Sequence, residues 1–255
     1  MSSRSESSIS ASSTSKSPES LVIDRGGTCL DHVAIGVPDT RRGSAELAEV
    51  LGYEPVLRDP NPDTFYWSAA LPLGDLRFLE ILGPNPLYKG FNPFIEIVRR
   101  LKRPQPLFWY VATEDFGAFE AAARDAGAPV ERVVEHDATY DDLRISFKRG
   151  IIGPGFLSVC PNVIEWRERT SLLRDHPGPS FIGLDLSHPE ASRLNTVFER
   201  LGIDQTVEKG PHQMRLKLGT PKGEVVFAGE GLQLRGLSML PQLASTFSRW
   251  LFRPR

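Results

Sequence analysis

Two short apolar stretches each carry one side chain able to do acid–base or metal chemistry. Leu30–Asp39, reading LDHVAIGVPD, holds His32, and Arg77–Pro84, reading RFLEILGP, holds Glu80. Strand alternation sends Leu30, His32, Ala34 and Gly36 to one face and Asp31, Val33, Ile35 and Val37 to the other. Phe78, Glu80 and Leu82 share a face in the same way. A histidine or glutamate among apolar neighbours is costly to bury unless it is paired, shifted in protonation or bound to a metal. Both residues are therefore candidates for catalysis. The plainer alternative for His32 is a buried, hydrogen-bonded histidine.

The elements that must position them form an internal repeat. Each copy reads as a strand, a helix stopped by Gly, then short strands. In the first copy a strand at 30–37 and a helix at 41–51 end at Gly52, which suits the left-handed residue that stops a helix. Strands follow near 54–57, 65–71 and 76–82, with Gly74-Asp75 as a turn. The second copy has a strand at 107–112, and Phe116, Phe119, Ala123 and Ala126 at helical spacing before Gly127. Its later strands fall near 130–135, 143–148 and 156–166. The third has a strand at 181–186, a helix at 189–201, Gly202, and strands near 206–209, 213–218 and 224–228. Between the first two copies, 85–106 is rich in Pro and basic residues, with one short helix at 94–101.

One such unit cannot bury both faces of its sheet. Two side by side make a curved eight-stranded sheet around a cavity, lined by the first and fourth strands of each unit. The fold class is thus α+β, with repeated βαβββ modules, two of them paired and a third degenerate. The expected division is a Ser-rich disordered tail over 1–27, paired modules over 28–170, the third module over 171–230 and an amphipathic helix over 231–255.

The chain has 255 residues, 40% hydrophobic and 24% charged, as in an ordinary globular protein. With 30 basic and 32 acidic residues the net charge is -2, which gives no field to attract nucleic acid or an anionic membrane. Cys29 and Cys160 supply neither zinc spacing nor a disulfide framework, and read as reduced thiols. The serine-rich start lacks the apolar core of a secretory signal, Glu6 and Glu19 oppose a mitochondrial presequence, and no apolar run spans a bilayer. The expectation is a cytoplasmic protein with a small-molecule substrate, no nucleic-acid or membrane partner, and room for a homodimer.

LDHVAIGVPD, then LGY, then RFLEILGP resembles the first module of the vicinal oxygen chelate superfamily, home of glyoxalase I, methylmalonyl-CoA epimerase and extradiol dioxygenases. The layout is similar to the glyoxalase-like domain family. Phe108-Trp109-Tyr110, the alanine-rich 118–127, Tyr140–Phe147, Ile164-Glu165-Trp166 and the linker His176–Pro179 occur in the matching order. The resemblance covers roughly 29–229. It implies metal ligands on the first and fourth strands of paired modules. Carried over, these are His32, Glu80 and Glu165, with Phe108 where a fourth ligand would stand. The third copy has Gly183 and Phe227 at the two positions and supplies no equivalent site.

The resemblance then implies a divalent ion (Zn, Mn, Fe, Co or Ni) on His32, Glu80 and Glu165, polarising a carbonyl or vicinal oxygens for lyase or isomerase chemistry. Glu80 or Glu165 would move the proton. The alternatives are a metal-free acid–base enzyme on an aromatic metabolite and a metal-free binder that sequesters a ligand. In the plain reading Glu165 pairs with Arg144 or Arg167. Trp67, Phe108, Tyr110 and Arg144 are the substrate-binding candidates, beside Phe65, Tyr66, Trp109 and Lys148. An aromatic-rich cavity points to an apolar or aromatic substrate. His136-Asp137 reads as a solvated loop, His188 as structural, and GIIGPG at 150–155 as a turn.

Overall fold

The computed structural model describes residues 28–140, 143–152, 159–169, 173 and 175–229, with side chains except at 138–140, 143–144 and 168–169. The tail expected over 1–27 and the helix over 231–255 lie outside the described residues.

The first module is β1 (Cys29–Gly36), α1 (Thr40–Leu51), β2 (Val56–Leu57), β3 (Tyr66–Gly74) and β4 (Arg77–Pro84). Asp39 caps α1, its carboxylate accepting from the Arg42 N–H at 2.8 Å. Gly52 ends the helix in the left-handed region, at φ 77. Next come α2 (Pro93–Arg99) and the second module: β5 (Gln105–Ala112), α3 (Phe116–Asp125), β6 (Val130–Tyr140), β7 (Leu143–Ile152) and β8 (Asn162–Arg169). The third module is β9 (Ser180–His188), α4 (Ala191–Arg200), β10 (Val207–Lys209), β11 (Gln213–Thr220) and β12 (Gly223–Gly229).

The first two modules share one eight-stranded sheet, ordered β2-β3-β4-β1-β5-β8-β7-β6. Each first strand runs parallel to its own fourth strand, and β1 meets β5 antiparallel at the seam. This is the α+β architecture of paired modules expected from the repeat. β6 runs on to Tyr140, so His136-Asp137 lies in a strand rather than a loop. Its hydrogen-bonded pairing with β7 outweighs the polar composition that suggested a turn.

The convex face of the sheet carries α1 and α3. Val33, Ile35, Leu47, Leu71, Ile81, Trp109 and Phe119 are buried there. The third module forms a second, four-stranded sheet ordered β10-β9-β11-β12. Its Leu184, Phe198, Met214 and Leu216 belong to the same core. Phe198 meets Trp109 edge-on at 5.9 Å, and the Trp109 indole N–H donates to the Val159 carbonyl at 2.8 Å. The third module therefore covers the back of the paired modules and leaves their concave face to α2.

Gly36 marks that end of the trough. A Cβ there would come within 2.7 Å of the Leu107 side chain and 2.8 Å of Leu101. Leu107, Leu82, Ile95 and Val98 pack together under α2, flanked by Phe65, Tyr66, Phe94 and Phe108. Both described cysteines are free, and burial pushes the Cys160 thiol up to about 12, which keeps it unreactive. Among the described residues no helix is long and apolar enough to cross a membrane.

Candidate active site

His32 sits at the middle of the concave face. Its cross-strand partners are Phe78 on β4 and Tyr110 on β5. The imidazole is stacked between those two rings, at 4.4 and 4.2 Å, each tilted by 18°. Two parallel aromatic walls fix the plane of the imidazole and leave its nitrogens to set the chemistry.

Each nitrogen faces a carboxylate. Nδ1 lies 2.6 Å from the Asp31 Oδ2, and Nε2 lies 4.0 Å from the Glu80 Oε2. Asp31 is 3% exposed, and its Oδ1 accepts from the Trp166 indole N–H at 3.0 Å. A carboxylate accepts, so Asp31 orients the imidazole through Nδ1–H and leaves Nε2 as the nitrogen that faces Glu80.

Strict alternation would place Asp31 on the face opposite His32. The pairing of β1 with β5 is irregular between Leu30 and His32, so Asp31 is an extra residue in the ladder. A bulge of this kind re-aims a side chain, and here it brings Asp31 to the His32 ring. The same irregularity corrects the alternation reading of β1.

Glu165 does not join them. Its Oε2 accepts from the Phe116 N–H at 2.7 Å, at the start of α3, and its Oε1 is 4.0 Å from the Arg167 Nε. β8 alternates so that Val163, Glu165 and Arg167 face the helices while Asn162, Ile164 and Trp166 face the trough. Glu165 thus caps a helix and pairs with Arg167. A divalent ion on His32, Glu80 and Glu165 does not fit this geometry. Asp31 already engages Nδ1, and among the described residues no group of three His, Cys, Asp or Glu side chains could hold a metal.

The other candidates divide between the faces. Phe108 and Tyr110 line the trough, 5.8 Å apart, but Phe108 lies opposite Ala34, and Tyr110 is the residue opposite His32. Trp67 turns to the helix side: its indole donates to the Arg58 carbonyl and Arg41 lies over its ring at 5.4 Å. Its neighbour Tyr66 faces the trough instead. Lys148 also turns away, its Nζ 4.6 Å from the centre of the Phe116 ring. The Arg144 side chain lies outside those described; of the segment 150–155 read as a turn, 150–152 are paired strand at the end of β7 and 153–155 lie outside the described residues.

One cation enters the trough that the sequence reading passed over. Arg149 on β7 donates to the Tyr110 hydroxyl at 3.2 Å. Burial alone would lower its pKa, but Tyr110, Tyr66 and Glu80 outweigh this and hold it above its ordinary value, so it stays charged. Burial likewise pushes the Tyr66 and Tyr110 hydroxyls up, against the pull of Arg149, and both stay protonated donors. His136 stacks on Phe147 at 5.0 Å beside this group. The signal that finds Arg149 is phase: it shares a face with Phe147 and pairs with Ile164.

The paired βαβββ modules of one curved sheet are those of a protein of the vicinal oxygen chelate superfamily. The model of the glyoxalase-like domain matches residues 30–202. The chain belongs to the glyoxalase-like domain family. A search of curated proteins gave no significant match. Among solved structures, a hypothetical protein from Staphylococcus aureus is 14% identical, over 79% of this chain and 85% of its own, with a TM-score of 0.52. It supports the fold. A methylmalonyl-CoA epimerase from Mycobacterium tuberculosis is 18% identical over 55% of this chain and 88% of its own, at a TM-score of 0.40. A methylmalonyl-CoA epimerase in complex with methylmalonyl-CoA and NH4+ is 15% identical over 55% and 97%, at 0.42.

Proposed function

We propose that the chain is a small-molecule enzyme of the isomerase or lyase kind that moves a proton at a carbon beside a carbonyl. The observation that carries this reading is the pair His32 Nε2 and Glu80 Oε2, facing each other at 4.0 Å with Asp31 behind the imidazole. That gap is too long for a direct hydrogen bond and suits two groups that share a substrate proton. His32 takes the proton from carbon, and the C–H electron pair moves to the carbonyl oxygen as the enolate forms. In isomerisation that proton passes from His32 Nε2 to Glu80, which returns it to the enolate at a different atom or face. In elimination the enolate instead expels a group from the next carbon. General acid–base catalysis of this type contributes about 100- to 10,000-fold.

The test is solvent exchange. A panel of 2-oxo acids, 2-hydroxy ketones and acyl thioesters is incubated with the protein in D2O, and C–H to C–D exchange is followed by NMR. At least one substrate exchanges about 100-fold faster than with the His32→Gln variant. A panel on which both proteins behave alike overturns the reading and leaves a sequestering binder. Exchange that stops on chelation and returns with Zn or Mn replaces it with metal-assisted chemistry.

A further inference from the structure

Tyr110 joins two parts of the trough. Its ring lies on the His32 imidazole at 4.2 Å, and its hydroxyl accepts from Arg149 at 3.2 Å. A fixed cation therefore stands one phenol away from the proton-transfer centre. On the other side the aromatic wall continues without a break. Phe108 is 5.8 Å from Tyr110, and Phe94 of α2 is 6.2 Å from both Phe108 and Phe65. The segment before α2 is pinned, since Asn85 donates to the Asn61 and Thr64 carbonyls at 2.6 and 2.7 Å and accepts from the Leu87 N–H at 2.9 Å. The apolar end is thus built rather than adaptable.

The charges of the trough also have a direction. Asp31 is matched by His32 and Trp166, and Glu80 faces both His32 and the field of Arg149. Arg58 adds a second cation whose field reaches Tyr66 and His136. A guanidinium backed by phenol donors is a planar receptor for carboxylate oxygens, and charge-assisted bonds of this kind are about twice as strong as neutral ones.

We propose that the trough takes an aryl carboxylate, its carboxylate on Arg149 and Tyr110 and its ring against Phe94 and Phe108. The proposal rests on the proton-transfer reading for what happens next: the carbon bearing the labile proton then lies at His32, and Arg149 takes charge that grows on the neighbouring oxygens. Binding itself needs no turnover, so the two readings fail separately.

The experiment uses the unreactive probe 3-phenylpropionate, with 3-phenylpropionamide and acetate beside it, in calorimetric titrations of the full chain. The acid binds at least about 10-fold more tightly than either. Arg149→Gln removes that preference, so that the variant binds the acid and the amide alike. Arg149→Lys and Tyr110→Phe each lower the acid-to-amide ratio. They decide the matter if Arg149→Gln melts well below the parent. An acid that binds no better than its amide, or a ratio unchanged in the Arg149 and Tyr110 variants, overturns the proposal. Acid binding without solvent exchange sinks only the proton-transfer reading, and exchange without a carboxylate preference sinks only this one.

Discussion

The first and second modules repeat one strand order and meet antiparallel at the β1–β5 seam, yet they bring different chemistry to the trough. Across the seam His32 faces Tyr110. The parallel partners of Ala34 and Ala112 are Glu80 and Ile164. The first module thus supplies a histidine and a glutamate where the second supplies a phenol and an isoleucine. The second module's own glutamate sits one residue further along β8, on the helix side. A repeat preserves places, and the phase of each strand decides which side chains use them. On the proposed reading the division is functional: one module would handle protons, and the other, through Tyr110 and Arg149, would handle charge.

The sharpest way to break this contrast is to disable the first module's centre. His32→Gln and Glu80→Gln each lower solvent exchange by about 100-fold or more, with melting temperatures near the parent. Asp31→Asn belongs with them, because it frees the imidazole to adopt the wrong tautomer; a loss of similar order is expected. Equal activity in Asp31→Asn would show that the bulge is only structural. The measurement in each case is the initial exchange rate, with a thermal melt as control for folding.

Glu165→Gln tests the other half of the contrast. The carboxylate accepts at the α3 N-terminus, where an anion also offsets the helix dipole. Its replacement costs roughly 1 kcal/mol in urea unfolding and leaves exchange within about twofold. Loss of activity with unchanged stability would instead place Glu165 in the chemistry and restore the metal set that the resemblance implied.

The fold was open to reading from the sequence because helix stops at Gly52, Gly127 and Gly202 and apolar alternation recur with the repeat. All three glycines have positive φ, at 77, 72 and 64. His32 and Glu80 were legible because a strand flanked by apolar residues exposes its exceptions. Asp31 was not, because a bulge is an event of pairing between two strands and leaves no period in either one. Glu165 entered the ligand set because the resemblance carries a fourth-strand ligand onto it, whereas it shares its phase with Val163 and Arg167 on the helix side. Arg149 was hidden for the opposite reason. It lies in a β strand ending in glycine and isoleucines, and only the partnership of β7 with β8 turns it inward.

The smallest effect should come from the second module's histidine. Burial and the Arg149 charge lower the His136 pKa, with Arg58 adding to them and Asp137 opposing. In the unfolded chain the group titrates near its ordinary value of about 6.5. The unfolded state therefore binds more protons between the folded value and about 6.5, and stability falls as pH drops through that window. Above it His136 is neutral in both states and contributes no slope. His136→Asn should flatten the slope without removing it, because burial also lowers His188, and that residue keeps its share. Urea unfolding from pH 5 to 7.5 measures the difference. An aryl carboxylate seated on Arg149 would offset the charge that His136 feels, so saturating 3-phenylpropionate should flatten the slope of the parent and leave that of His136→Asn unchanged. A slope indifferent to the probe in both proteins would mean that Arg149 and His136 do not share one electrostatic neighbourhood, and the division of labour between the modules would lose its charged half.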